Sequence, residues 1–341
     1  MASAAGLMSS LVIVAKNVTS FRGISLGAPI AISGLSAAIF SEINSLWFKD
    51  DTYHFLLFLA TSTGLCLFIG SWFLVTVPPK DRDTIVVSIE EGIPSFNNSG
   101  VIKQDDKLDK FEDTPLLQNK VNEEIDIGGW DFICNNDARI LALAMIFLSG
   151  SGLMYINNVG SIIKSLYPTH SSDSDSSIYK LQNAHVFYLS VFSCIGRLTA
   201  GFISDMARLL LKLPRLSFFI ISGFWLFLAQ LLILFYVDGL DKLLIVTIFV
   251  GFGFGNLYSI TPIIVSEWFG TKRFGLNWGI IACLPAFGGQ LFNLLYGYNN
   301  DKHISQNCLG AECYQSVFYF SSLACLFSIC ISLGLLYNKY K

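Results

Sequence analysis

Arg197, Gly201 and Asp205 stand at every fourth position of the stretch Gly196-Arg-Leu-Thr-Ala-Gly-Phe-Ile-Ser-Asp205, and Arg208 follows three residues later. On an α-helix this spacing stacks a cation, a position without a side chain and an anion on successive turns of one side. The surroundings are apolar, and an arginine inside an apolar span marks a functional site by default because its burial is costly. Its planar guanidinium matches a carboxylate bidentately, so Arg197 is the anchor to expect for a carboxylate-bearing solute. The plainer reading is an arginine that snorkels toward the charges near Asp205. Asn157 and Asn158, Asn256 and Tyr258, and Gln290 and Asn293 are the other polar side chains set in apolar runs, each pair preceded by glycines or a proline. Broken helices near a bilayer midplane build solute sites in this way, although such side chains more often only bond a neighbouring helix. Glu42 and Glu267 are in-span carboxylates able to carry a proton. Both lie near span ends, which favours a solvated or ion-paired role.

Catalytic constellations are lacking. His54, His170, His185 and His303 fall in loops or at span ends, with no His-Glu-x-x-His pair and no Cys-x-x-Cys. Gly251-Phe-Gly-Phe-Gly255 is glycine-rich but lies in mid-span, without the strand context of a phosphate-cradling loop. Close helix packing explains it better. No enzyme activity, cofactor or metal is therefore expected. A net charge of −3 offers no basic field for nucleic acid.

The elements that must position these residues are apolar helices. The 341 residues are 53% hydrophobic and 14% charged, against about 25% charged in soluble domains. A helix needs about 20 mostly apolar residues to cross a bilayer. Eight stretches qualify: 24–46, 55–77, 139–164, 184–204, 216–236, 243–266, 274–296 and 315–337. A ninth, 2–15, is apolar but short and lacks a basic flank before it, so a span cut short is preferred to a signal peptide. The runs are too long and continuous for barrel strands. Alternate connections carry nine Lys or Arg (Lys16, Arg22, Arg208, Lys212, Arg215, Lys272, Arg273, Lys339, Lys341) against five (Lys49, Lys164, Lys180, Lys242, Lys302). The richer side reads as cytosolic. Asn17 and Asn97, in the two Asn-x-Ser/Thr matches, fall on that side and are not expected to carry glycans. Six cysteines (66, 134, 194, 283, 325, 330) sit in or beside apolar runs as small hydrophobes. Cys308 and Cys313, in the opposite-side connection, are the pair to consider for a disulfide, with two free thiols the equal alternative.

Residues 79–137 are acidic and polar and read as a disordered cytosolic loop. They separate a region of about two and a half spans, 1–78, from a six-helix bundle, 138–341. Within the loop, Glu112-Asp-Thr-Pro-Leu116-Leu117 resembles an acidic dileucine sorting signal. That resemblance implies a sorting adaptor as partner and a vacuolar membrane as destination, the plasma membrane being the alternative.

The Gly201-x-x-x-Asp205-x-x-Arg208 segment resembles the loop motif of the major facilitator superfamily. Together with Tyr155-Ile-Asn-Asn-Val-Gly160 and Ser266-Glu-Trp-Phe-Gly-Thr-Lys-Arg-Phe-Gly-Leu-Asn-Trp-Gly279, it makes the whole chain similar to the fungal Mch1-like branch, related to monocarboxylate porters and nodulin-like proteins. The resemblance implies an all-α polytopic bundle that normally has twelve helices in two halves, here with the front of the first half missing. It also implies a conformational latch at Gly201, Asp205, Arg208, Glu267, Lys272 and Arg273. The implied function is secondary transport of a small solute by alternating access, with proton coupling open. A membrane receptor or scaffold on the same fold is the second reading.

Overall fold

The computed structural model describes residues 2–18, 21–48, 51–75, 126–167, 174–304 and 314–341. Glu112, Leu116, Leu117, Asn97, His170, Cys308 and Cys313 lie outside the described residues. Among the described residues, ten α-helices follow in order: α1 (Ala2–Asn17), α2 (Arg22–Ile43, continued by a π-helical turn Asn44–Phe48), α3 (Thr52–Phe73), α4 (Trp130–Cys134), α5 (Asn136–Leu166), α6 (Ser174–Leu211), α7 (Arg215–Phe235), α8 (Leu240–Phe269), α9 (Phe274–Ile304) and α10 (Gln315–Tyr340). Among the described residues, eight of these helices, with α2 counted through its π-turn, are long and apolar enough to cross a membrane. The chain is an all-α polytopic membrane protein. Lipid offers no hydrogen bonds to the backbone, so apolar runs of this length must be helical.

Each expected span has its helix, and several helices overrun it. The run 184–204 sits inside the 38-residue α6 and 139–164 inside the 31-residue α5. Outside the hydrocarbon, polar turns continue the backbone ladder, so apolar length underestimates helix length. The 2–15 stretch is α1, which buries Leu11 and Ala15 among its neighbours. Asn135 caps α5 by accepting from the N–H groups of Asp137 (2.9 Å) and Ala138 (3.2 Å).

Of the loop expected to be disordered, 79–125 lie outside the described residues, while 126–137 are held in place. The Ile127 N–H donates to the Phe269 carbonyl (3.0 Å), and Asn277 Nδ2 donates to the Ile127 carbonyl (2.7 Å). Phe132 of α4 is buried edge-on against Phe269, with ring centroids 4.7 Å apart. Three strong anchors outweigh the ordering cost that composition alone suggested would win.

The broadest helix contacts are α6 with α8 and α2 with α6; α5 pairs with α9, and α7 lies between α8 and α10. Lipid tails are as apolar as leucine, so close backbone approach must hold these pairs together. A Cβ on Gly255 would overlap the Ser193 carbonyl oxygen, which is why the α6–α8 crossing uses glycine there. Gly255→Leu should part the two helices and lower stability by roughly 3 kcal/mol. A melting curve in detergent would read this; an unchanged midpoint would show that the crossing tolerates a side chain.

Candidate functional site

The C-terminal end of α6 is closed by a tight turn. Lys212 takes the left-handed conformation (φ 53°), the Leu213 N–H returns to the Ala207 carbonyl (3.3 Å), and Pro214 precedes α7. The turn brings Arg215, the first residue of α7, back beneath Asp205. Asp205 and Arg215 are almost fully buried, at 3% and 4% exposure, and pair at 2.5 Å. Arg215 also donates from Nη1 to Ser204 Oγ (2.6 Å) and from Nε to Glu267 Oε1 (3.2 Å), while Arg208 pairs with Glu267 from the other side. Two cations and two carboxylates balance. A cleft of about 340 Å³ opens beside them, lined by Arg208, Lys212, Arg215, Glu267, Trp268 and Tyr340 among others.

Asp205 has a second task. Helix α2 starts after Phe21, itself left-handed at φ 52°, and no side chain of its own caps it. Its first N–H groups therefore need outside acceptors. The Gly23 N–H donates to Asp205 Oδ1 (3.0 Å) and the Ile24 N–H to Oδ2 (2.9 Å). The carboxylate also suits the positive end of the helix dipole. Approach this close requires Gly201: a Cβ there would stand 2.5 Å from the Gly23 carbonyl oxygen.

Gly201, Asp205, Arg208 and Glu267 thus meet in one place, but Lys272 and Arg273 do not join them. Lys272 is exposed on the α8–α9 connection. Arg273 instead binds the segment before α4: its N–H donates to Asp126 Oδ1 (3.2 Å) and its Nη1 to the Gly128 carbonyl (3.3 Å). Spacing missed Arg215, which counts among the basic loop residues. The available signal was a cation in the first turn of a helix, where the dipole disfavours it unless a carboxylate faces it.

Two turns deeper, Arg197 Nη1 donates to the Ile30 carbonyl of α2 (2.5 Å), and Ser259 Oγ donates to the Arg197 carbonyl (2.9 Å). The guanidinium occupies the space left by Gly34. Among the described residues no carboxylate pairs with it, and its buried Nε has no hydrogen-bond partner. Tyr258 lies within its electrostatic reach. Asn256, on the same helix, donates to its own Phe252 carbonyl (2.9 Å). The other group forms between α5 and α9: Asn158 Nδ2 donates to Asn293 Oδ1 (2.9 Å), while Asn157 and Gln290 are exposed. No hydrogen bond among the described residues joins this pair to the Arg197 group. Glu267 is held in its ion pairs. Glu42 is exposed and borders an apolar groove of about 440 Å³ between α2 and α6.

One histidine contradicts the expectation for all four. His185 lies inside α6 at 2% exposure, hydrogen-bonded to Thr247. Its polar neighbours Gln182 and Asn183 made it read as a span end. Its partners come from other helices and leave no mark in the local sequence.

The family profile NFD4, C-terminal domain, matches residues 135–340. Relatives include a protein named probable transporter mch1 from Neurospora crassa, 25% identical over 408 residues, covering 98% of this chain and 67% of that protein. Another of the same name, from Emericella nidulans, is 26% identical over 390 residues, with shares of 92% and 62%. An uncharacterized membrane protein of Saccharomyces cerevisiae is 23% identical over 416 residues, with shares of 99% and 76%. The chain spans about two thirds of the length of the first two. With the profile covering more than half of its residues, this all-helical membrane chain belongs to the NFD4 C-terminal domain family.

Proposed function

We propose that this chain works as a secondary transporter of a small anionic solute, by alternating access in a bundle of the major facilitator type. The observation that carries the reading is the double use of Asp205. It holds the free amides of α2 and pairs with buried Arg215, so one carboxylate ties α2 to the α6–α7 turn through polar contacts that water could replace. A contact of this kind can break and re-form within a cycle, unlike interlocked apolar packing. Relatives named probable transporters support the same reading. In this scheme Asp205, Arg215, Glu267 and Arg208 latch the cytosolic side, and α2 belongs to the first half (1–78), facing the second (138–341). Arg197, which no carboxylate among the described residues neutralises, anchors the solute's negative charge. Tyr258, Asn256, Asn157, Asn158, Gln290 and Asn293 shape the surrounding site. The segment around Glu112, Leu116 and Leu117 directs the protein to a vacuolar membrane, with its connection in the cytosol. Coupling to a proton gradient completes the scheme.

Purified protein in liposomes, offered a panel of labelled small organic acids, amines and neutral solutes, tests this. Saturable uptake confined to the acids is expected. Uptake of none of them, or of amines alone, would contradict an anion transporter.

A further inference from the structure

Helices α6 and α8 run parallel and meet in a single register. His185 bonds Thr247 and the Arg197 carbonyl accepts from Ser259, each pair 62 residues apart. Between them, Leu189 backs Gly251 and Ser193 backs Gly255. His185 is thus the outer end of the seam that carries Arg197, twelve residues or about 18 Å of helix rise away.

The hydrogen bonds at this end fix what His185 can do. Thr247 Oγ1 donates to the Leu243 carbonyl (3.1 Å), which uses its one proton. With that proton on the Leu243 carbonyl, it accepts from both the Tyr155 hydroxyl (2.7 Å) and His185 Nδ1 (2.6 Å). In this arrangement neutral His185 carries its proton on Nδ1 and leaves a lone pair on Nε2. The three side chains tie α5, α6 and α8 together, and all are buried.

Among the described residues, the charged and titratable groups around them are few. Lys180 and Tyr188 are exposed on α6, Asp241 and Lys242 open α8, and Lys164 closes α5. Glu42 of α2 lies across the neighbouring groove beside Phe187 and Val191. Tyr155 adjoins Tyr314, before α10, and Tyr314 adjoins Tyr296 of α9. Burial pushes the Tyr314 phenol up to about 12, so it stays neutral. Among the described residues, no charged group acts on the His185 ring.

We propose that His185 is a proton-binding site served from the non-cytosolic side, and that its protonation loosens the outer end of the α6–α8 seam. The orientation rests on the transporter reading above. A proton from water adds to the Nε2 lone pair and no bond breaks. The ring becomes an imidazolium with two donors, and Thr247 satisfies only one of them. An unpaired charge buried in an apolar bundle is strongly unfavourable. Relief requires water or an anion to enter between α5, α6 and α8, which means parting the seam. The proton thereby acts on the helices that carry Arg197.

Amide hydrogen exchange of the full chain in lipid nanodiscs at pH 7.5 and pH 5.5, corrected for intrinsic rates, tests the proposal. Exchange within 180–190 and 240–250 should rise about five-fold at the lower pH, and His185→Gln and His185→Asn should both abolish that rise. Two variants are used so that poor folding of one leaves the test intact. A rise that persists in the folded variants, or none in the native protein, would overturn the site. Exchange needs no solute flux, so a failed proton site and a failed transporter reading are separable. A rise seen without any uptake keeps the site and removes the transport.

Discussion

Replacing Asp205 with alanine should release the start of α2 from α6. The substitution removes the acceptor for the Gly23 and Ile24 N–H groups and leaves Arg215, at 4% exposure, without its closest anion. Losing one partner of a buried ion pair costs about 3–5 kcal/mol. Glu267 remains 3.2 Å from Arg215 Nε and offsets part of this. The network lies beside an open cleft, so the cheapest relief is for the turn to open and admit water rather than for the bundle to unfold. About 3 kcal/mol amounts to more than a hundred-fold change in population. The expected result is a chain still folded in detergent, with a lower melting midpoint and a predominantly unlatched α2. Restoring the anion with Asp205→Glu should recover less than half of the effect, because the longer side chain does not fit between Gly201 and Gly23.

Arg197→Leu should have the opposite signature. Its guanidinium is placed against α2 by one hydrogen bond to the Ile30 carbonyl and, among the described residues, is paired with no carboxylate. Exchanging a poorly compensated buried cation for an apolar side chain is often neutral or stabilising. Thermal stability should therefore hold or rise. Transport of an anionic solute should fall by roughly 100-fold, the equivalent of about 3 kcal/mol for charge-assisted hydrogen bonds lost from the bound state. Melting curves and initial uptake rates on the same preparations check both halves. A large loss of stability with normal residual uptake per folded molecule would make Arg197 a structural clamp and not an anchor.

These outcomes depend on features that were unequally legible in the sequence. The membrane helices were plain, because an apolar run of about 20 residues has one solution in lipid. Asp205 and Gly201 were legible from four-residue spacing, which survives in any helix. Their partners were not. The amides of Gly23 and Ile24 carry no side-chain signal, and they lie more than 180 residues away in sequence. Arg215 was hidden among loop charges although the helix dipole should have flagged it. Arg273 and Lys272 share a motif with Glu267, yet the chain turns at Gly270, with φ 87°, and sends Arg273 toward Asp126. His185 was misplaced for a related reason: the polar turn before it ends an apolar window but not the helix. Periodicity thus reads which residues share an element. It does not read which elements meet, and the chemistry here is set between elements.

The most direct test is a distance across the latch. Spin labels on Ile24 of α2 and Phe202 of α6, both side chains exposed, would be placed in a cysteine-free background and measured by pulsed electron–electron resonance. The native network predicts a dominant short distance that gives way to a longer one in Asp205→Ala. The same short distance in both proteins would contradict a latch built on Asp205.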